Sequence, residues 1–497
     1  MARHALWRAA GFPAGELDRP FVAVLAARQP FSPHGGEVGA RARSAALGVQ
    51  GAGGNPRIFD LAGAGAQADF GDSLEWQDVA ALALQVERIG RAFSPQALVL
   101  VADTGASLLG LLRGAARLDL PAVALPGEGS PLDPSWPGLM DFAASYVRGK
   151  ISREEWTVRM EREMGLPGFA AAASNPDGFK HLVEAAGLSL PGASTAQAGS
   201  AAFAGLARSS GWQAVTLAHM GQRLSQMLSP AALRNALALD SSLGGSVEAA
   251  WGLAQVAGEL GAPLSRSWLE APKARAYLAP QADAGLWHAE GGVLALQLLL
   301  WEAGAQEDSA RGVTRKNLKD LLGDCVYPEE PRAFLAQPGG EPATRLFLLK
   351  GPLAPRGVLL KAPRNCGQAA LTARVFADEE DACRHALKHG GEGEILVLRT
   401  GGRRIRVLGA ALRAAESKAW VLADGPVDGP LPGPAGFRLP GAPGAWEGLR
   451  DGEAVRLDPG RGLLEGGAAP AGAAGGEQEG WAALEWSRLG KFGFVEG

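Results

Sequence analysis

Within the first 125 residues, apolar strand-like runs alternate with helix-like segments, and this alternation restricts the fold more than any other feature of the chain. Phe21 to Ala26 is a short apolar run, followed by a helix-compatible stretch from Glu37 to about Gln50. Arg57 to Leu61 reads as the next strand. Val79, Leu82, Val86, Ile89 and Phe93 then recur at spacings of three and four, which is one apolar face of a helix. Ala97 to Ala102 reads as a buried strand, Leu108 to Leu118 as a helix, and Ala122 to Leu125 as a fourth strand. Strands that alternate with helices imply βαβ units and a parallel sheet.

From about Met140 to Leu322 the pattern turns mainly helical. Ser229-Pro230 is a helix start: Ser caps the first free N–H groups, and Pro at the first helical position lacks only an N–H that would be unpaired anyway. That helix ends near Gly244-Gly245, and a second runs from Val247 to Leu260 and closes at Gly261. Beyond about Arg345 short strand-like runs take over: Leu346 to Leu349, Gly357 to Lys361, Ile395 to Arg399, Ala419 to Ala423 and Ala454 to Leu457. Gly/Pro clusters such as Gly425 to Pro434 separate them. The expected architecture is α/β, with an N-terminal α/β domain (1–340) that holds a parallel sheet and a helical insertion. A β-rich, barrel-like C-terminal domain (345–462) follows, and then a flexible linker and tail (463–497), in which Gly466 to Gly480 is Gly/Ala-rich with little to bury.

Composition narrows the function classes. A chain of 497 residues exceeds one ordinary core, and 47% apolar residues suffice to bury more than one. The net charge of −4 supplies no basic field for nucleic acid or an anionic membrane. The opening Met1 to Ala10 lacks an apolar signal core, and the densest apolar stretch, Leu294 to Trp301, is too short to span a bilayer. A soluble cytoplasmic protein is expected. Cys325, Cys366 and Cys383 show no ligand spacing, which argues against a disulfide framework and fits a reducing compartment. Most of the thirteen tryptophans, including Trp212, Trp251, Trp287 and Trp301, fall on helical segments and read as packing groups.

Several segments, in order, resemble the dihydroxy-acid dehydratase family, which also includes phosphogluconate and aldonate dehydratases. Arg8-Ala-Ala-Gly-Phe and Arg19-Pro20 precede the first strand as in that family. Gly110-Leu-Leu-Arg-Gly-Ala-Ala-Arg-Leu-Asp-Leu-Pro121-Ala-Val is similar to its "PGMLMAAARLNIPAV", and Glu184-Ala-Ala-Gly-Leu-Ser-Leu-Pro-Gly192 to "EALGMSLPG". Asn235-Ala236 with Gly244-Gly-Ser246 and Ala249 is similar to "ENA…GGSTNA", and Lys350 to Pro355, ending at Lys361, to "GNLAPEGAVVK". Arg374-Val-Phe376, Arg399 and Asp424-Gly425 continue the series. The resemblance implies an active site between an α/β domain and a β-barrel-like domain, near a homodimer interface.

It also implies a chemistry: removal of water from a 2,3-dihydroxy acid, with an iron–sulfur cluster as Lewis acid on the leaving hydroxyl. Magnesium, held by carboxylates and a carbamylated lysine, grips the substrate. The ligand positions are not kept here. "NPCN" falls on Phe31-Ser-Pro-His34-Gly35, so His34 stands at the first cysteine. "CDK" falls on Thr104-Gly105-Ala106, which removes a cysteine, an aspartate and the lysine together. "GACGGM" places Ala170 at the third cysteine. The stretch from Phe59 to Ser73 is shorter than the family's, and the "PGMPE" glutamate has no counterpart around Arg403 to Val407. The base serine of "TDGRFSG" falls in Ala423-Asp424-Gly-Pro-Val-Asp428-Gly429, with Asp428 as its replacement. No cofactor is expected, and none of the three remaining cysteines lies at a matched ligand position.

Three readings follow. One is a non-catalytic relative that binds a small hydroxy- or keto-acid or partners a true dehydratase. Another is a lyase rebuilt without metal around His34 and Asp428. The last is an interaction protein whose cleft has collapsed. Each candidate also has a structural reading. His34 reads as a satisfied loop histidine and Asp428 as a turn residue, while Asp103 reads as a cap for the helix starting near Thr104. That helix start could also favour a ligand carboxylate. His385 and His389, four apart on a helix beginning near Asp378 with Cys383 close by, read as an exposed helix end rather than a metal site.

Overall fold

The computed structural model describes residues 2–9, 11, 14–28, 35–64, 75–126, 136–164, 178–196, 199–269, 288–289, 291–325, 344–399, 405–424, 431–439, 448–466 and 494–495. Four parallel strands, β1 (Phe21–Arg28), β2 (Asn55–Ala62), β3 (Ala97–Ala102) and β4 (Ala122–Leu125), form a sheet in the order β2-β1-β3-β4. The intervening helices are α2 (Gly35–Gly51), α3 (Glu75–Phe93) and α4 (Gly105–Leu118), after a short N-terminal α1 (Ala2–Ala9). β3 and β4 are buried along their whole length, which is why both read as continuous apolar runs. β2 lies at the edge and alternates instead. Its odd-numbered backbone groups face β1, as Asn55 N–H donates to Pro20 O and Gly63 N–H to Arg28 O. Pro56 is tolerated because its missing N–H points to the open edge.

A run of helices then follows. They are α5 (Trp136–Val147), α6 (Arg153–Met164), α7 (Phe179–Ala185), α8 (Ala201–His219), α9 (Leu224–Met227), α10 (Pro230–Ser242), α11 (Val247–Glu259), α12 (Arg266–Leu269), α13 (Gly292–Glu302) and α14 (Leu318–Gly323). Ser229 caps α10 by accepting from Ala232 N, with Pro230 in the first turn, as the sequence predicts. α2 and α8 cross so closely that glycine is required: a Cβ on Gly48 would stand 1.8 Å from Arg208 O, and one on Gly211 1.9 Å from Ala45 O. α4 is tied to α11 through a buried ion cluster. Glu259 Oε1 accepts from Arg113 Nη2 at 2.9 Å and Arg117 Nε at 3.0 Å, and these side chains are 2%, 0% and 2% exposed. Arg117, the arginine of the "AAARL" resemblance, is therefore a structural residue.

The C-terminal domain is a closed eight-stranded barrel, in the order β10-β11-β7-β6-β13-β12-β8-β9. Its strands are β6 (Thr344–Gly351), β7 (Ala354–Pro363), β8 (Ala369–Phe376), β9 (Glu394–Leu398), β10 (Trp420–Ala423), β11 (Ala435–Arg438), β12 (Ala454–Asp458) and β13 (Leu463–Gly466), with helices α15 (Glu379–His389) and α16 (Ile405–Ala414). Side chains alternate along the strands. Phe347, Leu349, Val358, Leu360, Ile395, Val397 and Leu422 fill the barrel. Their neighbours Leu346, Leu348, Leu359, Leu396, Leu398 and Val421 point the other way, into the core shared with the N-terminal helices. There Trp251 of α11 meets Phe437 of β11 edge-on at 5.9 Å. α5 and α16 also join the domains, through Arg413 Nη1 to Asp141 Oδ1 at 2.6 Å and Arg148 Nε to Ala414 O at 2.8 Å.

Two details differ from the sequence expectation for 463–497. Residues 463–466 form β13 and complete the barrel, because the turn after β12 makes it the return arm of a hairpin. Farther on, β14 (Phe494–Val495) pairs in parallel with β5 (Leu264–Ser265), so the tail returns to the N-terminal domain. Residues 467–493 lie outside the described residues. Among the described residues, no helix is long and apolar enough to cross a membrane.

Candidate functional site

The strand order β2-β1-β3-β4 reverses direction between β1 and β3, and ligands of open α/β sheets bind outside the carboxyl ends of strands at such a switch. Asp103 and Thr104 stand there, directly after β3 and before α4. The segment after β1, with His34, lies outside the described residues, as do Ala170 and Asp428. Asp424 belongs to the other domain: it follows β10, and its N–H donates to Leu398 O at the end of β9.

At the switch, three side chains and one turn close on themselves. Thr104 is the N-cap of α4, with extended backbone, and its Oγ1 accepts from Ser107 N at 3.0 Å. The Thr104 hydroxyl proton goes to Ala64 O at 2.6 Å. Ser107 Oγ donates to Asp103 Oδ1 at 3.0 Å and accepts from Ala64 N at 2.9 Å. Asp103, Thr104 and Ser107 are 4%, 1% and 0% exposed. The turn carrying Ala64 comes this close only because residue 63 is glycine: a Cβ there would lie 2.8 Å from Ser107 Oγ and 2.9 Å from Arg28 C. The expected role of Asp103 is thereby corrected. The cap is Thr104, because its side chain is positioned over the third N–H of the helix, while Asp103 accepts from Ser107 instead. Gly105 and Ala106 form the half-buried first turn, with Ala106 packed against the main core.

These residues do not fit a cluster or a magnesium ion. Thr104, Gly105 and Ala106 offer no thiolate, carboxylate or amine, and the Thr104 hydroxyl is already committed to Ala64 and to the helix start. The cysteines do not compensate. Cys383 is buried on α15, Cys366 packs against the barrel core, and Cys325 follows α14 with its thiol on Leu321 O at 3.2 Å. Among the described residues, no group of three or more His, Cys, Asp or Glu could hold a metal ion.

Of the histidine pair on α15, His389 is exposed as expected and His385 departs from expectation. The helix is capped by Asp378, as its sequence suggests, but His385 is not loosely exposed. Its Nε2 meets Glu394 Oε2 at 2.6 Å, and its ring lies 4.9 Å from that of His389. Arg374, from another resembling segment, donates to the same carboxylate at 2.7 Å. His385 and Arg374 together hold the Glu394 carboxyl below its ordinary range, despite the opposing effect of burial. At the seam between domains the family-like Gly244-Gly245 segment meets β6. Thr344 Oγ1 donates to Gly244 O at 2.8 Å, and Gly245 packs on Leu346. Beside them Asp240 Oδ1 accepts from Ser246 N at 3.0 Å. Burial pushes the Asp240 carboxyl up to about 7, against the pull of that N–H and of Lys361. Sequence reasoning missed Ala64, Ser107 and Asp240; the serine three residues after Thr104 was the one local signal available.

Known proteins place this architecture. Residues 19–321 match the family model for the N-terminal part of the dihydroxy-acid/6-phosphogluconate dehydratases. The chain is 31% identical to a dihydroxy-acid dehydratase of Ignicoccus hospitalis over 87% of this chain and 83% of that protein. It is 29% identical to those of Pyrococcus abyssi, over 80% and 76%, and Acidothermus cellulolyticus, over 92% and 87%. With the parallel sheet, the barrel and these matches spanning both, the chain belongs to the dihydroxy-acid/6-phosphogluconate dehydratase family.

Proposed function

We propose that this protein keeps the family scaffold without the family's dehydration chemistry, and carries neither the iron–sulfur cluster nor the magnesium ion. The observation that supports this reading is the closed hydrogen-bond network of Asp103, Thr104, Ser107 and Ala64. Its central member, Thr104, stands at the position that the resemblance assigns to a cluster cysteine, and Gly105 and Ala106, at the positions assigned to a magnesium aspartate and the carbamylated lysine, follow it in the first turn of α4. Expelling hydroxide needs a Lewis acid or a strong general acid, and these side chains supply neither. Losing one transition-state stabiliser typically costs about 10²–10³ in rate, so losing both metal centres takes turnover below detection. What remains is a non-catalytic family member, serving either as a binder of a small hydroxy- or keto-acid or as a companion of an active dehydratase. The expected homodimer belongs to the same reading, and light scattering that returned a monomer at micromolar concentration would remove that part of it.

The test is incubation with 2,3-dihydroxyisovalerate, gluconate and 6-phosphogluconate, followed by assay for 2-keto acid. No product above background is the expected result. Keto acid that forms in the wild type and disappears in Asp428→Ala would overturn the proposal and establish a rebuilt lyase site.

A further inference from the structure

Away from the switch point, a cavity of about 30 Å³ lies between the turn after α7, the helices α10 and α13, and the segment 310–321. That segment is strapped down over the turn. Val313 N–H donates to Gly187 O at 2.7 Å, and Gly312 sits so near Gly187 that a Cβ would fall 2.1 Å from its oxygen. The turn itself extends the parallel sheet: Ala124 N–H donates to Leu188 O, and Ser189 bridges to Ala124. Ser189 is 2% exposed and lines the cavity, and among the described residues its Oγ meets no hydrogen-bond partner.

The neighbouring polar groups are held elsewhere and cannot swing round to it. Asn235 spans the backbone of Glu307, donating to its O at 3.0 Å and accepting from its N at 2.7 Å. Gln297 Nε2 donates to Ala185 O at 3.1 Å. The Glu184 carboxylate accepts from Gly192 N and Ser194 N, each at 2.7 Å. A buried hydroxyl without a partner is costly, so something small has to satisfy it. One water needs roughly 10–15 Å³ of such space, and this cavity holds about two. Glu184 and Asn235 line the same space, and each of their side-chain oxygens has a second lone pair that can accept a water's proton. The half-exposed Lys316 at the rim leaves a route to solvent.

We propose that this cavity is a hydrated site in which ordered water binds Ser189 Oγ and links the sheet-edge turn to the strap over it. A crystal structure of the full chain at high resolution should show a density peak within hydrogen-bond distance of Ser189 Oγ. In parallel, Ser189→Ala should leave the thermal midpoint unchanged or lower it by about 1–2 °C, because the water loses a partner. A dry cavity would give the opposite pair of results. There would be no peak at Ser189, and the Ser189→Ala midpoint would rise, since the substitution would then remove an unsatisfied buried hydroxyl. Either of these findings overturns the proposal.

Discussion

Thr104→Val separates the two ways of regarding the switch-point corner, as a built structural unit or as an unfilled remnant. Valine keeps the branched shape and removes the hydroxyl. Two interactions go at once: the cap on Ser107 N at 3.0 Å and the donation to Ala64 O at 2.6 Å. Loss of an N-cap side chain costs about 1 kcal/mol. A buried carbonyl left short of a donor costs about 1–3 kcal/mol more. Ser107 Oγ, 3.1 Å from Ala64 O, can turn to that carbonyl only by leaving Asp103, so relief is partial. We expect a net loss of about 2–3 kcal/mol in denaturant unfolding, seen as a lower midpoint at unchanged slope. Thr104→Ser, which keeps the hydroxyl, should stay within about 0.5 kcal/mol of wild type. Chelators should leave all three midpoints where they were, because the hydrogen bonds at this corner run between protein groups alone. A valine variant as stable as wild type would refute the reasoning, since the network would then contribute nothing to the fold.

Two other perturbations test the fold around this corner. Glu259→Gln removes the carboxylate shared by the buried Arg113 and Arg117, and should destabilise by about 3–5 kcal/mol; a loss under about 1 kcal/mol would mean that α4 and α11 are held by packing alone. Asp240 predicts a pH dependence. Its folded carboxyl keeps a proton to about pH 7 against an ordinary value of 3.8, so the unfolded chain ionises first. The contribution of Asp240 to stability is therefore full below about pH 4 and is lost as pH rises to 7, by on the order of 4 kcal/mol. Asp240→Asn should flatten that fall and be the more stable protein at pH 8, and an unchanged slope would count against it.

Most of the N-terminal sheet was legible in the sequence because its signals are local. Val79, Leu82, Val86 and Ile89 mark one face of α3, and the short apolar run at 97–102 reads as a buried strand. The barrel was less legible. β8 alternates weakly, and β11 and β13 have four residues each, too few to show a period. Their pairing is set by closure of the sheet, a property of eight strands together rather than of any one segment. The site divides in the same way. A threonine before a helix announces a cap, yet sequence favoured the neighbouring Asp103, because Asp and Thr are both good caps and only geometry chooses between them. Ala64 lies 40 residues from Thr104, and Glu259 lies 146 residues from Arg113, so neither partnership leaves a local trace.

The central claim is that this family member has lost its metal centres, and its most direct measurement is iron and acid-labile sulfide analysis of protein purified without oxygen. The account predicts neither element in stoichiometric amount and no visible absorption band, because Thr104, with the sequence-assigned His34 and Ala170, replaces each thiolate. A brown protein with several iron and sulfide per chain would contradict it. Cys325, Cys366 and Cys383 would then have to be reconsidered as ligands.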